Sequence, residues 1–444
     1  MIGILGAGMR VLARLLADLG YAVEGTDERA GGVSSLADGA IRVLPPLCDG
    51  AIIDADLCVY STAVGKDHPE RLAAAARGIP QRSRAELLGE VMRTYPVRLG
   101  VAGTHGKSTT TAMCAAILTA DGRDPTVAVG AALPDDGDGY RFGRGDSLVF
   151  EACEYERAFL HFSPTVAVLN NASWDHPDTF HDGSAALAAF RAYLSLPSVE
   201  TAVVNLDHGG ARRAAVGLSV PVITFGHSEQ ADVRAAGVTV GEGGCASFTL
   251  LDRGRPLGRV VLQIPGRHNV ENAMAAAAAA LAVGVSDGAI LAGLSSFRGA
   301  LRRTEYRGTL RDVRYYDDYA HHPEEIAASL TALRGRGRLF CLYQPHTYSR
   351  TAAFFEGFCR ALSLADTVIV TDTYAARESP EDGVGSRALA EGIGDGALYL
   401  PTPEVAALWL AHRLAPGDTV VVMGAGDVSA RFFTGERSFA SKER

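Results

Sequence analysis

At 444 residues the chain has room for about three domains of ~150 residues each. Its 47% apolar and 21% charged residues are the balance of a globular protein that can bury real cores. Its 42 basic and 51 acidic side chains leave a net charge of −9, so no basic surplus exists to coat nucleic acid or an anionic membrane, although a small anion needs only a local cluster of donors.

Short β-rich runs alternate with helical patterns, which predicts an α/β chain of parallel sheets with crossover helices. In chain order, residues 2–5 read as a strand, 9–19 as a helix and Ala22–Thr26 as the next strand. Two further βα-like units carry the first region to about residue 94, where Tyr95-Pro96 breaks the chain before the apolar strand Val97–Ala102. Strands are then predicted at 147–151, 165–169, 202–205 and 221–225. An antiparallel meander follows over 237–264, where glycine- and proline-rich turns separate short alternating runs. Asn269–Val283 reads as a helix stopped by Gly284. Beyond Arg302, strands are predicted at 313–317, 338–343, 366–371 and 418–423, with a helix after Pro323 carrying Ile326, Leu330 and Leu333 on one face.

This divides the chain into a Rossmann-like region (1–95), a central parallel sheet with a small meander (96–300) and a second Rossmann-like region (301–444). The seven cysteines are scattered without a C-x-x-C pair, as expected of reduced thiols in a cytoplasmic protein. No signal peptide is expected from the opening Met1-Ile-Gly-Ile-Leu-Gly6, and the apolar run from Ala273 to Val285 is too short to span a bilayer.

The most informative stretch is Gly100-Val-Ala-Gly103-Thr104-His105-Gly106-Lys107-Ser108-Thr109. A strand runs into a glycine-rich turn, then Lys-Ser, then a helix. Backbone N–H groups of such a turn face inward, and the helix N-terminus adds positive potential, which suits a phosphate. Lys107 can reach the β- and γ-phosphates, and the Ser108 hydroxyl can bind Mg²⁺. The plain alternative is a surface turn beside an exposed lysine. Two downstream strands end in possible metal ligands: Ser147–Glu151, and Thr165 to Leu169 followed by Asn170-Asn-Ala-Ser173-Trp-Asp175-His176-Pro-Asp178. A lone carboxylate in such a place more often caps a helix or pairs with a cation.

The G-x-x-G-T-x-G-K-S-T loop, with Glu-Ala-Cys-Glu-Tyr and the Asp-His segment, resembles Mur ligases and their folyl-polyglutamate relatives. That resemblance implies an ATP- and Mg²⁺-dependent carboxylate–amine ligase. By position, Lys107, His176 and Arg303 would be catalytic, and Ser108, Glu151 and His176 would bind the metal. The family usually carries glutamate where this chain has Ser173. Asn269 and Asn272, in Gly266-Arg-His-Asn-Val-Glu-Asn, would touch adenine, although an asparagine at a helix start also reads as a cap. Arg303 would meet the terminal phosphate and Asp318, fifteen residues later, the ribose.

Gln344-Pro-His346-Thr-Tyr348-Ser-Arg350-Thr resembles the alanine-adding branch, so His322, His346, Tyr348 and Arg350 would hold an amino acid, with arginine matching its carboxylate. In the first region, Gly6-Ala7-Gly8-Met9 and Asp27 open a Rossmann-like unit in which Val11 replaces the third glycine, and Ser61 begins a second family-like segment. The resemblance implies that these residues hold the UDP part of UDP-N-acetylmuramate, with L-alanine as the second small-molecule substrate, in a monomer or weak homodimer. Asn170-Asn171 leans toward the branch that adds an intact tripeptide. A nicotinamide-dependent oxidoreductase built on Gly6-Ala-Gly8 leaves Lys107-Ser108 unexplained, and a nucleotide binder without catalysis is suggested by Ser173.

Overall fold

The structure, a computed structural model, describes residues 1–30, 34–36, 39–46, 55–132, 139–177, 179–241, 243–376 and 378–434. It is a mixed α/β protein of three packed regions whose sheets are mainly parallel.

In the first region the helix Ala7–Asp18 starts two residues earlier than predicted, because Gly6 takes the extended conformation of a cap. The predicted strand at 2–5 shrinks to Ile2, which bridges Thr26 and Tyr60 in parallel and links the strand Glu24–Thr26 to Cys58–Tyr60. Gly3 turns the chain away at φ +79°, and the Leu5 N–H goes to the Asp27 carboxylate instead of a strand neighbour. Later in this region Ser83 and Glu86 form a capping box that starts the helix Arg84–Met92.

Ten strands make the central sheet. From one edge they run Arg255–Pro265, Cys245–Asp252, Val233–Val240, Val222–Phe225, Thr201–Asn205 and Val166–Leu169, then Val97–Ala102, Ser147–Glu151, Thr126–Ala128 and Tyr140–Arg141. The first three strands are the predicted meander, paired antiparallel. Side-chain alternation on Val97–Ala102 divides the core. Leu99 and Val101 face the helices Lys107–Ala120 and His268–Ala282, while Ala102 faces the side packed by the first region. Every residue from Ala273 to Ala280 is buried, so the small side chains let that helix lie close under the sheet. Gly100 is required in the strand, because a Cβ there would stand 2.4 Å from the Tyr193 hydroxyl and 2.7 Å from the Phe150 ring.

The third sheet runs Glu305–Leu310, Val313–Asp318, Thr419–Met423, Leu339–Tyr343, Thr367–Val370 and Ala397–Tyr399, parallel except at its first pair. That first strand is absent from the sequence reading. Its hairpin turns at Arg311 and Asp312, both at positive φ, without the Asn-Gly or Asp-Gly pair that announces such a turn. Among the described residues no helix is long and apolar enough to cross a membrane.

The helix Asp287–Ser296 lies on the helix of the glycine-rich loop through Gly293, where a Cβ would stand 2.5 Å from the Ile117 Cα. Alanine favours a helix by ~1 kcal/mol over glycine. The clash with backbone reverses that sign, so Gly293→Ala should destabilise by about 1–3 kcal/mol in equilibrium urea unfolding.

Candidate active site

The glycine-rich loop leaves Val97–Ala102 with two left-handed glycines, Gly103 (φ +140°) and Gly106 (φ +77°), before the helix begins at Lys107. Gly106 has no room for a side chain, since a Cβ would meet Asn272 Oδ1 at 2.4 Å. The 170–173 segment ties the loop down. His105 N–H donates to Asn171 Oδ1 (2.8 Å) and Asn171 Nδ2 donates to the His105 carbonyl (3.1 Å). The Thr104 hydroxyl donates to the Ser173 carbonyl and accepts from its N–H. Thr109 is buried in the first turn of the helix.

Lys107 Nζ donates to the carbonyls of Gly103 (2.6 Å) and Thr104 (3.0 Å) and pairs with Glu154 at 3.0 Å. Burial opposes its charge, but Glu154, Cys153 and Glu151 outweigh burial and raise its pKa, so Lys107 is an ammonium. Beside it the Ser108 hydroxyl donates to Glu151 Oε2 (2.7 Å), which also accepts the Gly130 N–H (2.8 Å). Arg303 crosses from the third region and donates to the same hydroxyl at 3.1 Å, with its Nε buried and unpartnered.

Ser108 and Glu151 therefore meet as the sequence predicts. His176 takes a left-handed conformation (φ +55°) with Nε2 4.0 Å from Glu154 and 3.7 Å from Asp175. Burial lowers its pKa. Asp178, quoted in the same motif, lies outside the described residues.

A cavity of about 400 Å³ opens between the loop and the third region. Asn269, Asn272 and Asp318 line it with Ser108, Thr109 and Arg303. Asn269 is no cap: it lies inside the first turn, where its Nδ2 donates to the Pro265 carbonyl and its Oδ1 accepts from Asn272. Asp318 accepts from Ser329 (2.6 Å), Thr304 (2.9 Å) and the Ala320 N–H (2.9 Å). Burial raises its pKa against those bonds.

Arg350 is buried, pairs with Asp175 at 3.4 Å and donates to His176 Nδ1 at 3.3 Å. Burial pushes the Asp175 pKa up, but Arg350, His176 and His322 outweigh it and hold the carboxyl well below its usual range. His346 offers an unpartnered buried Nδ1 and stacks on Tyr374. The histidine beside His346 is His321, at 5.9 Å between rings, and not the predicted His322, which packs on His105 and Phe354. Tyr348 begins a short helix with its N–H on Glu378 and its ring toward Gly385.

In the first region Gly6, Ala7 and Gly8 turn into the helix N-terminus, with Ser61 packed against Gly3 close by. The side chain of Met9 is buried in the core, so only its backbone N–H is on offer. Asp27 is occupied, accepting from the Leu5 N–H and from Arg29. Arg84, which the sequence reading passes over, brings its guanidinium to 3.2 Å from where a Cβ on Gly8 would be. Glu154 and Asn171 are missed as well. Each is a polar residue whose partner is far along the chain, and no local spacing announces it.

The chain matches the family profiles described as "Mur ligase family, catalytic domain" over residues 1–96, "Mur ligase middle domain" over 101–280 and "Mur ligase, glutamate ligase domain" over 302–426. It is 39% identical to the UDP-N-acetylmuramate–L-alanine ligase of Agathobacter rectalis over 435 residues, covering 96% of this chain and 95% of that protein. The protein of the same name from Acetivibrio thermocellus is 40% identical, with 96% and 93% covered. Among solved structures, the UDP-N-acetylmuramate–alanine ligase of Thermotoga maritima superposes with a TM-score of 0.79 over 98% of each chain at 24% identity. A murein peptide ligase from Psychrobacter arcticus gives 0.69 over 99% of this chain and 98% of that one, at 23% identity. At these identities the two structures speak for the fold.

The two neighbouring histidines of the site, His105 and His322, should titrate far apart. Burial lowers the His105 pKa, but Glu324 and Glu325 outweigh burial and push it up to about 9. Burial takes His322, with its ring 4.6 Å away, down to about 4. In an NMR titration of the nucleotide-free protein, His105 should stay an imidazolium through pH 7 and His322 a neutral ring. The sign for His105 follows: its contribution to stability is complete below its unfolded value of ~6.5 and is lost as pH rises through about 9.

Proposed function

Because the chain belongs to the Mur ligase family, we propose that it joins L-alanine to the carboxylate of UDP-N-acetylmuramate at the cost of ATP, through an acyl phosphate. The observation that carries this reading is the convergence of cations from two regions at the start of the helix after the glycine-rich loop, where Arg303 of the third region meets Ser108 beside Lys107 of the central one. Near-full-length likeness to relatives of that name supports the choice of substrates.

The triphosphate lies on the N–H groups of Gly103, Thr104 and Gly106 with Lys107, while the His105 N–H is taken by Asn171, and the purine lies against Asn269 and Asn272. Asp318 holds the ribose. Ser108 and Glu151 form a hydroxyl–carboxylate pair of hard oxygens, a donor set that suits Mg²⁺, which takes few protein ligands beside substrate phosphates. Mg²⁺ held by Ser108 and Glu151 would offset the charge of the phosphates. His176, 4.0 Å from Glu154, would offer an imidazole to the same metal or to a second one.

A muramoyl carboxylate oxygen attacks the γ-phosphorus, and the bond to ADP breaks. Lys107 and Arg303 offset the charge gathered as two anions approach. Arg350, with His346, Tyr348 and the nearby histidines His321 and His322, holds the alanine carboxylate and orients its amine. The neutral amine nitrogen attacks the acyl carbon, phosphate leaves with the electron pair of the C–O bond, and the proton lost by the nitrogen goes to the departing phosphate. Trp174 and Phe354 pack across the region boundary 5.3 Å apart and help exclude water from an intermediate that hydrolyses. The diphosphate of the sugar nucleotide lies on the N-terminus of Ala7–Asp18 at Gly6, Ala7, Gly8 and Met9, with Arg84 as a cation. Asp27 and Ser61 shape that loop from behind.

Asn170 and Asn171, which lean in sequence toward the tripeptide-adding branch, are engaged by Thr110 and the glycine-rich loop and carry no preference for the acceptor. The six described cysteines are all free, which supports a reducing cytoplasm.

Phosphate release from ATP and Mg²⁺ should require UDP-N-acetylmuramate and L-alanine together. Release with the tripeptide in place of L-alanine would overturn the assignment. Chelation by EDTA should stop release, and added Mg²⁺ should restore it. Lys107→Ala should lower turnover at least about a hundredfold while keeping the folded circular-dichroism spectrum, at a lower melting temperature because Glu154 loses its buried partner, and a near-normal rate would remove Lys107 from the mechanism.

A further inference from the structure

One side chain of the glycine-rich loop has no part in that chemistry. His105 points into the third region, where the helix Pro323–Leu333 begins, and lies between two carboxylates. Its Nδ1 is hydrogen-bonded to Glu325 Oε1 at 3.2 Å. Its Nε2 is 3.2 Å from Glu324 Oε2, out of line for a hydrogen bond and so an ion pair. The other oxygen of Glu325 accepts the His321 N–H at 3.2 Å. The Glu324 oxygen that faces His105 is also 3.4 Å from the Ser173 hydroxyl. Ser173 in turn holds the loop through Thr104.

We propose that Glu324 and Glu325 are positioning residues: through His105 they hold the glycine-rich loop in its working shape, and they do so only while the third region is closed on the central one. The proposal rests on the ligase reading above.

Four observations carry it. His105 is clamped at both its N–H and its carbonyl by Asn171, so a pull on the ring is passed to the backbone that leads into Gly106 and Lys107. Both ring nitrogens face carboxylates, Nδ1 in a hydrogen bond and Nε2 in an ion pair, the surroundings of a charged ring, and the pKa pushed up to about 9 agrees. The two arms differ in strength. Glu325 is 15% exposed and Glu324 60% exposed, so water screens the second far more.

Finally, residue 173 is serine where the resemblance to Mur ligases implies glutamate. Glu324 brings a carboxylate to that spot from across the region boundary, and the small serine leaves room for it. A glutamate at 173 would set two carboxylates against each other.

His105, His322 and Glu324 have their ligating atoms within 4.8 Å of one another, close enough for a metal ion. The ring of His322 argues for protons instead. Its Nδ1 accepts the Glu324 N–H (3.4 Å), so the neutral ring carries its proton on Nε2, the buried nitrogen left over for an ion.

The test is a pair of double-mutant cycles. His105→Asn, Glu325→Gln and their double variant would be assayed for phosphate release with UDP-N-acetylmuramate and L-alanine. Each would also carry a fluorophore pair spanning the central and third regions, read without substrates. Each single change should raise the KM for ATP about tenfold, change kcat much less, and move the labels apart. The double variant should be no worse than the worse single one. Multiplying effects, or unmoved labels, would overturn the proposal.

Ser173→Glu should raise the KM for ATP, and Ser173→Glu combined with Glu324→Gln should bring it back. Failure of that rescue would overturn the part given to Glu324. A wild-type protein that releases no phosphate would defeat the ligase reading alone, because the label distances still decide whether the contact holds the regions closed.

Discussion

Three cations that face the central cleft are each already satisfied by a carboxylate of the same chain. Lys107 is held by Glu154, Arg350 by Asp175, and His105 by Glu324 and Glu325. A site built for anions must keep positive charge out of water before any anion arrives, and an unpaired buried charge costs several kcal/mol. The internal carboxylates remove that cost, and they set a threshold for ligands. An incoming anion gains only the difference between its own pairing and the one it displaces. A triphosphate, with several charged oxygens, would outcompete one glutamate at a lysine more readily than a single carboxylate would.

Two of these pairings also bind the regions together. Asp175 and His105 belong to the central region, and Arg350, Glu324 and Glu325 belong to the third. Both of these pairings, unlike Lys107 with Glu154 inside the central region, are also fastenings across the cleft's mouth, reinforced by Trp174 on Phe354 and by His105 on His322. Exchange of Asp175 for a substrate carboxylate on Arg350 would loosen one fastening while the ligand supplies another. Closure and ligand binding are thus coupled through shared side chains, with no separate relay needed.

Much of this was legible in the sequence wherever the signal is local. Val97–Ala102 and Ser147–Glu151 occur with their predicted bounds, because buried parallel strands are short apolar runs closed by turn residues. The glycine-rich loop was legible for the same reason: its geometry depends on two glycines within four residues. Two elements were misread because the backbone does something its residues do not announce. Residues 2–5 are apolar, yet Gly3 turns them out of the sheet, and Arg311-Asp312 makes a left-handed turn without glycine. The partners of the site were opaque for a different reason. Glu154, Asn171, His321 and Glu325 are ordinary polar residues, and their meaning depends on which strand end folds over which.

The first loop shows how a weak motif is completed from elsewhere. Its third glycine is missing, and Val11 packs against the core where that glycine would let helix and strand approach. The chain compensates at Leu5, whose N–H is pinned by Asp27, and Asp27 is itself held by Arg29. That bracing fixes the turn through side chains where a fuller glycine motif would rely on backbone freedom alone. Gly8 is kept, and the reason is visible: a Cβ would press on the Arg84 guanidinium, which stands over the helix N-terminus. A helix start with one fewer glycine and one more cation still presents positive potential outward, because the dipole of Ala7–Asp18 and the arginine point the same way.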